Sequence, residues 1–373
     1  MSGKCLFIFG TRPEAIKMAP LIKKVEQTDN LEARICVTAQ HRQMLDQVLR
    51  IFNIEPHYDL NIMTDNQSLF DLTAKIITKL QRIIIEEKPE IVIVQGDTTT
   101  TFAGSLSAFY GKVPVGHLEA GLRTGNKYAP FPEEINRRVT SVIADIHFAP
   151  TEWAKENLLK ENVPADRIFV TGNTVIDALL YVVEKIRAND LYQESLLFRG
   201  IDFSKRIVLI TGHRRENFGQ GFQNICEAIK SLSEEFPQVE FVYPVHLNPN
   251  VRKPVNDILK GLFNVHLIEP LDYEPFVYLM DKSYLILTDS GGVQEEAPSL
   301  GKPVLVMRDA TERPEAVNAG TVKLVGTDTQ RIIGTTRELL LNEETYSMMS
   351  RAHNPYGDGK ASERIVSIIK EFI

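Results

Sequence analysis

The chain has 373 residues, 43% hydrophobic and 24% charged, which is the balance of a globular protein too long for one ordinary core; two domains are expected. Lys and Arg number 42 against 49 Asp and Glu, a net −7, and the basic residues are scattered, so no nucleic-acid surface is expected. No apolar run nears the ~18 residues of a membrane span. The three cysteines stand singly and the first residues run straight into Lys4–Phe9, so neither a disulfide framework nor a leader is expected and the cytoplasm is the expected compartment.

Both halves repeat one grammar: a short β-branched run, a Gly/Pro/Asp turn, then a helical pattern. In the first half strands are predicted near Cys5–Phe9, Arg34–Thr38, Ile91–Gln95, Val113–His117, Ile146–Phe148 and Ile168–Thr171. Helices are predicted near Ala15–Gln27, Gln43–Phe52, Leu69–Glu87, Thr99–Tyr110, Glu133–Ile143 and Glu152–Glu161. Gly172-Asn173 marks the expected crossing into the second half. There the strands fall near Ile207–Thr211, Glu240–Pro244, Val265–Leu267, Leu285–Thr288, Val304–Met307 and Lys323–Val325. The helices between them fall near Phe222–Phe236, Pro254–Leu262, Pro275–Lys282, Val293–Leu300 and Gln330–Leu341. Asn354–Gly359 breaks the chain again before an amphipathic helix, Ala361–Phe372, able to cap either unit. Alternation of this kind predicts an α/β chain with two doubly wound, Rossmann-like parallel sheets.

Ligands of such sheets bind outside the carboxyl ends of the strands, so those turns are the ones to search. Ser290-Gly291-Gly292 joins a buried strand to a helix and leaves bare N–H groups at the helix start, which suits a phosphate. Glu296, a turn later, suits sugar hydroxyls; the plainer reading is Ser290 as N-cap and Glu296 on a wet face. After the first strand, Gly10–Lys17 lacks a dinucleotide fingerprint and a Walker lysine, and offers Arg12 and Lys17 instead. Three further turns bring Asp97, Glu119 and Glu133. Asp97 is also readable as an N-cap and Glu133 as a helix-dipole partner. A carboxylate directly after a buried strand needs a partner, and Arg123 or Arg137 could serve Glu119. In the second half His213 and Arg214 follow one strand, His246 another, and Arg313 a third. Acids in one half and cations in the other suit a phosphorylated sugar with chemistry at its sugar end. No metal-ligand spacing accompanies them, and neither metal nor cofactor is expected.

Six motifs then carry a resemblance: Gly-Thr-Arg-Pro-Glu-Ala-Ile-Lys, Gly-Asp-Thr-Thr-Thr-Thr, His-Leu-Glu-Ala-Gly-Leu-Arg-Thr, Pro-Glu-Glu-Ile-Asn-Arg, Gly-His-Arg-Arg-Glu-Asn and Thr-Asp-Ser-Gly-Gly-Val-Gln-Glu-Glu-Ala-Pro. Together the chain resembles the non-hydrolysing UDP-N-acetylglucosamine 2-epimerases from Phe9 to Gly359. The resemblance implies two domains facing across a cleft, as in GT-B glycosyltransferases. Residues 1–171 with the helix 360–373 would form the domain carrying the acids, and 172–359 the UDP-binding domain. It implies interconversion of UDP-N-acetylglucosamine and UDP-N-acetylmannosamine through loss and re-addition of UDP, a homodimer, and a role in cell-surface polysaccharide synthesis.

By motif, Asp97, Glu119 and Glu133 match the family's catalytic acids, and His213 joins them at the leaving group. Ser290, Gly291 and Gly292 would hold the diphosphate, Glu296 the ribose, and Leu271 and Phe276 the uracil. Arg12, Lys17, His213 and Arg313 would touch phosphate or sugar. Gln40, His41, Gln43, Gln67, Arg214 and His246 match a second, activating UDP-N-acetylglucosamine site; the loop before Gln67 reads Met63-Thr-Asp-Asn, without the Pro-Gly common there. A glycosyltransferase, a hydrolysing epimerase and a silent nucleotide-sugar sensor are the rival readings.

Overall fold

A computed structural model describes residues 2–39, 42–63, 67–189, 192 and 195–373. The chain divides into two compact units, Met1–Ala178 with Tyr356–Ile373, and Leu179–Pro355.

The first unit holds seven strands: β1 (Gly3–Phe9), β2 (Leu31–Val37), β3 (Tyr58–Asp59), β4 (Ile91–Gln95), β5 (Val115–Leu118), β6 (Ile146–Ala149) and β7 (Ile168–Val170). They lie in the order β3-β2-β1-β4-β5-β6-β7, every pairing parallel. β4 is Ile-Val-Ile-Val-Gln, buried throughout. An unbroken apolar run is what a strand covered on both faces requires. Helix Leu69–Glu87 supplies part of that cover, presenting Leu72, Ile76, Leu80, Ile83 and Ile84 at helical spacing to Leu6, Ile8, Val92 and Val94. The last helix, Ala361–Phe372, packs beside Arg12–Glu26 in this same unit and buries Ile365, Val366 and Ile369. Lys24 Nζ meets Glu363 Oε1 at 2.9 Å across that pair of helices.

The second unit holds β8 (Arg206–Thr211), β9 (Val239–Pro244), β10 (Val265–Ile268), β11 (Leu285–Thr288), β12 (Val304–Val306) and β13 (Val322–Leu324). Their order is β10-β9-β8-β11-β12-β13, again all parallel. In both sheets the strand order reverses beside the first strand, between β1 and β4 and between β8 and β11. A crevice opens at such a switch point because the flanking helices lie on opposite faces.

Departures from the predicted elements have local causes. Helix Pro249–Leu259 begins five residues before the predicted start at Pro254, with Asn248 accepting from Asn250 N at its cap. Proline is at home in the first turn, and two prolines five apart made the later one look like the start. The predicted helix Val293–Leu300 is an α-helix only over Gly291–Glu296 and continues as a 3₁₀ turn, Ala297–Leu300. Pro298 has no N–H to carry the i−4 ladder through. Helix Thr174–Asn189, where only a crossing is predicted, buries Val175, Ile176, Leu179, Val182, Val183 and Ile186; the division between the units falls inside it. β3 and the short helices Pro314–Asn318 and Glu343–Ser350 carry too few periodic residues to announce themselves.

Candidate active site

At the switch point of the first sheet, the turn after β1 starts helix Arg12–Glu26 with Arg12, half-buried, in its first position. Glu14, 1% exposed, accepts from Gly10 N (3.1 Å) and Thr11 N (2.8 Å) through Oε2, and from Thr98 Oγ1 (2.7 Å) through Oε1. One buried carboxylate thus ties the turn carrying Arg12 to the turn carrying Asp97. Burial pushes the Glu14 carboxyl up, with those donors opposing it.

Asp97 is not the N-cap of the following helix: Thr98 is, accepting from Thr101 N at 3.1 Å. The Asp97 carboxylate receives Arg137 Nε at 2.9 Å and Nη2 at 2.8 Å, while its carbonyl accepts from Asn136 Nδ2 at 2.9 Å. Both come from helix Glu133–Ile143. Glu133 opens that helix, and its Oε2 is buried with no hydrogen-bond partner among the described residues. A buried polar atom left so is uncommon and calls for an explanation.

Glu119 follows β5 with φ +59. Left-handed backbone costs a non-glycine residue about 1–2 kcal/mol, so the surrounding bonds fix it there. Arg123 pairs with Glu161 instead, while Arg137 bonds Asp97 and Glu134 and attracts Glu119 through its charge. Glu119 is ion-paired with Lys17, accepts from Gln95 Nε2 at 2.5 Å and from Asn173 Nδ2 at 3.1 Å. Lys17 is therefore no solvated helix face. Gly121, two residues on, runs against Ala154, whose carbonyl oxygen lies 2.1 Å from where a Cβ would sit. Only glycine fits there.

Asp97 and Glu119 thus end neighbouring strands, and the helix that Glu133 opens reaches Asp97 through its next turn. Glu134, 1% exposed and passed over by the sequence reading, is what holds that helix to the loop before it. It accepts from Thr124 N (3.0 Å) and Gly125 N (3.1 Å) and pairs with Arg137. Burial pushes its carboxyl up, but those bonds and Arg137 outweigh it and hold it below the usual range.

At the switch point of the second sheet the organising residue is Asp289, buried and accepting through Oδ2 from His213 N (2.9 Å), Arg214 N (2.9 Å) and Asn217 Nδ2 (3.3 Å). His213 Nδ1 lies 3.3 Å from its Oδ1. Burial pushes the Asp289 carboxyl up, yet His213 and the two amides leave it below the ordinary range. His213 is 42% exposed and stacks on His246, ring centroids 5.6 Å apart. Arg214 keeps a buried Nε without a partner among the described residues.

Ser290 holds the cap position of helix Gly291–Glu296 without a side-chain cap bond; its N–H donates to Thr288 Oγ1 at 2.9 Å. Arg313 lies over Gly291, its Nη1 2.6 Å from where a Cβ would be, and donates from Nε to the buried Glu295 at 2.6 Å. Gly292 is open except for Glu296 Oε1 at 3.5 Å. Glu296 is buried rather than on a wet face, and accepts from Tyr273 Oη at 3.0 Å. Tyr273 begins helix Tyr273–Lys282, which also carries Phe276, with Leu271 just before it; both are half-buried. Gln67 is half-buried in the first unit. Gln40 and His41 lie outside the described residues, as does the side chain of Gln43.

The family model described as UDP-N-acetylglucosamine 2-epimerase matches residues 23–370. The UDP-N-acetylglucosamine 2-epimerase of Salmonella typhimurium is 57% identical over 371 residues, covering 99% of each chain. The chain belongs to the UDP-N-acetylglucosamine 2-epimerase family. The resemblance carried by the six motifs is thereby borne out, as are the expectations of an epimerase and of two doubly wound α/β sheets. The Neisseria meningitidis epimerase, solved bound to UDP-GlcNAc, superposes with a TM-score of 0.91 at 56% identity, covering 99% of this chain and 100% of that one. The Methanocaldococcus jannaschii epimerase, solved with UDP-GlcNAc and UDP, gives 0.81 at 36% identity, covering 99% of each.

Proposed function

We propose that this epimerase inverts C2 of UDP-N-acetylglucosamine, reversibly giving UDP-N-acetylmannosamine, by eliminating UDP to a 2-acetamidoglucal and adding it back. The observation that carries this is the division of chemistry between the two sheet edges. The first offers the carboxyls of Asp97, Glu119 and Glu133; the second offers His213, Arg313 and the bare turn Ser290-Gly291-Gly292. The C2–H of the substrate is no more acidic than an ordinary alkyl C–H, so direct deprotonation is excluded. Departure of UDP from C1 builds positive charge on the sugar and acidifies C2–H. A carboxylate then takes that proton as C1=C2 forms, and the reverse steps deliver a proton to the other face of C2 as UDP returns to C1.

The leaving group sets the larger demand. A helix N-terminus offers about 0.3–1 kcal/mol, whereas a well-placed donor at developing charge is worth about 3–4 kcal/mol. His213 and Arg313, with Arg12, therefore carry most of the stabilisation, and Ser290, Gly291 and Gly292 add to it at the diphosphate. Glu296 takes the ribose hydroxyls, and Leu271 and Phe276 flank the uracil. Proton transfer, worth about 10²–10⁴-fold, falls to Asp97 and Glu133. Glu119, braced by Lys17, shapes the sugar site. Gln40, His41, Gln43, Gln67, Arg214 and His246 are assigned to an activating second UDP-N-acetylglucosamine. The enzyme is proposed to act as a cytoplasmic homodimer supplying cell-surface polysaccharide synthesis.

Incubation with UDP-N-acetylglucosamine alone in D₂O, followed by NMR, tests the reaction. Deuterium at C2 with UDP still attached is expected, and Asp97→Asn is expected to slow its entry about a hundredfold or more. Free N-acetylmannosamine would mean hydrolysis, and C2 left protonated would remove the proposal.

A further inference from the structure

We infer that His117 and Tyr243 are positioning residues for the reaction, each acting through a single hydrogen bond to the carbonyl just ahead of a reacting residue. This rests on the roles proposed above for Asp97 and His213. In the first unit His117, on β5, contacts the Gly96 carbonyl oxygen through Nε2 at 2.7 Å. In the second, Tyr243, on β9, donates from Oη to the Gly212 carbonyl oxygen at 3.1 Å. Gly96 follows β4, the neighbour of β5, and Gly212 follows β8, the neighbour of β9. The same device, a ring on the adjoining strand gripping the glycine carbonyl past the strand end, therefore occurs once in each sheet.

The grip matters because of what shares the peptide plane. The Gly96 carbonyl and the Asp97 N–H belong to one rigid unit, so orienting the oxygen orients the bond from which Asp97 hangs. The following plane is held too, since the Asp97 carbonyl accepts from Asn136. Asp97 Cα is thus bracketed by two fixed planes, although the residue before it, at φ +71, is the type of residue most prone to turn its peptide over. In the second unit the Gly212–His213 plane is pinned at both ends, its oxygen by Tyr243 and its N–H by Asp289.

Packing alone does not account for either ring. A carbonyl can only accept, so the His117 proton sits on Nε2 and Nδ1 is left a bare acceptor, with no partner among the described residues. Burial pushes this imidazole down to about 3, so it stays neutral with that proton in place. A leucine would fill the space without stranding a nitrogen. Tyr243 is fully buried within an otherwise apolar cluster, where phenylalanine would pack as well and only the hydroxyl reaches Gly212.

The test is steady-state epimerisation by Tyr243→Phe, His117→Gln and His117→Asn, each checked for folding by thermal melting. Glutamine places an amide nitrogen where Nε2 stands; asparagine is one bond too short. His117→Asn and Tyr243→Phe are expected to lose about 10- to 100-fold in kcat with KM little changed, and His117→Gln to keep most of wild-type turnover. Equal turnover by the Gln and Asn variants, or wild-type turnover by Tyr243→Phe, would reduce the corresponding ring to packing. A folded His117→Gln as slow as Asp97→Asn would overturn the first half even if the Asn variant could not be purified. Near-wild-type turnover by Asp97→Asn or His213→Ala would instead sink the assignment on which the inference rests.

Discussion

Arg137 sets two nitrogens against one oxygen of Asp97, Nε at 2.9 Å and Nη2 at 2.8 Å, from four residues beyond Glu133 on the same helix. Residues four apart share a helix face, so Glu133 and the cation that orients Asp97 lie on one side of that helix. Arg137 further touches Glu134, which is buried. Removing one partner of a buried pair strands the other, at about 3–5 kcal/mol. Arg137→Leu is therefore expected to lower the unfolding free energy measured in urea by about that much and turnover by at least about tenfold. Arg137→Lys keeps the charge but loses the two-nitrogen contact, and should restore stability more than rate. Equal recovery of both would detach Arg137 from catalysis.

Stability should fall on mild acidification, and two histidines are the reason. Burial pushes His117 to about 3 and His147 to about 4, against an ordinary 6.5. Between those values and 6.5 the unfolded chain binds protons that the folded chain refuses, so stability rises with pH across that window and is lost as pH falls through it. Each histidine contributes up to about 1.4 kcal/mol per pH unit. Urea midpoints at pH 7.5, 6 and 5 should fall together for the wild type and less steeply for His147→Gln. An unchanged slope in that variant would show that His147 titrates normally.

Gly291→Ala separates folding from function. The added methyl would land 2.6 Å from Arg313 Nη1. The far end of an arginine can swing aside, so the melting temperature should move little. Moving the Nη end while Nε keeps its bond to Glu295 takes the tip of the guanidinium from the proposed diphosphate, and kcat/KM should drop about tenfold or more. A large stability loss with normal kcat/KM would reverse this reading.

Tyr273→Phe removes the hydroxyl that Glu296 accepts at 3.0 Å. One hydrogen bond is worth about 0.5–1.5 kcal/mol, so UDP, titrated calorimetrically, should bind roughly two- to tenfold more weakly. The loss should shrink for 2′-deoxy-UDP if Glu296 indeed serves the ribose. The same loss for both nucleotides would place Glu296 elsewhere.

What the sequence made legible was local. β4, β11 and the helices Leu69–Glu87, Thr99–Tyr110, Glu133–Ile143 and Ala361–Phe372 lie where strand runs and helical periodicity put them, because each is one unbroken pattern. Pairings between distant residues were not legible. The sequence offers Glu119 the arginines nearby, and Arg137 does attract it, but the ion pair it forms is with Lys17, 102 residues away. Asp289 sat unremarked inside a quoted motif because its meaning depends on His213, whose N–H is 76 residues away. Glu14 is the one miss with a readable signal: Thr11-x-x-Glu14 is the spacing of a capping box, passed over in favour of the two cations flanking it.

The helix Ala361–Phe372 has a consequence for synthesis. It covers the first unit, and Ile373 lies against Gly3, yet the whole of Leu179–Pro355 is translated between the seven-stranded sheet and its cover. At about 5–20 residues per second, the ribosome spends of order ten to thirty seconds on that stretch. Throughout it, the nascent sheet lacks the side chains of Ile365, Val366 and Ile369 that will seal it. The portion of the protein made first is thus the last to close, and a premature stop anywhere in the later half leaves it with a sticky flank.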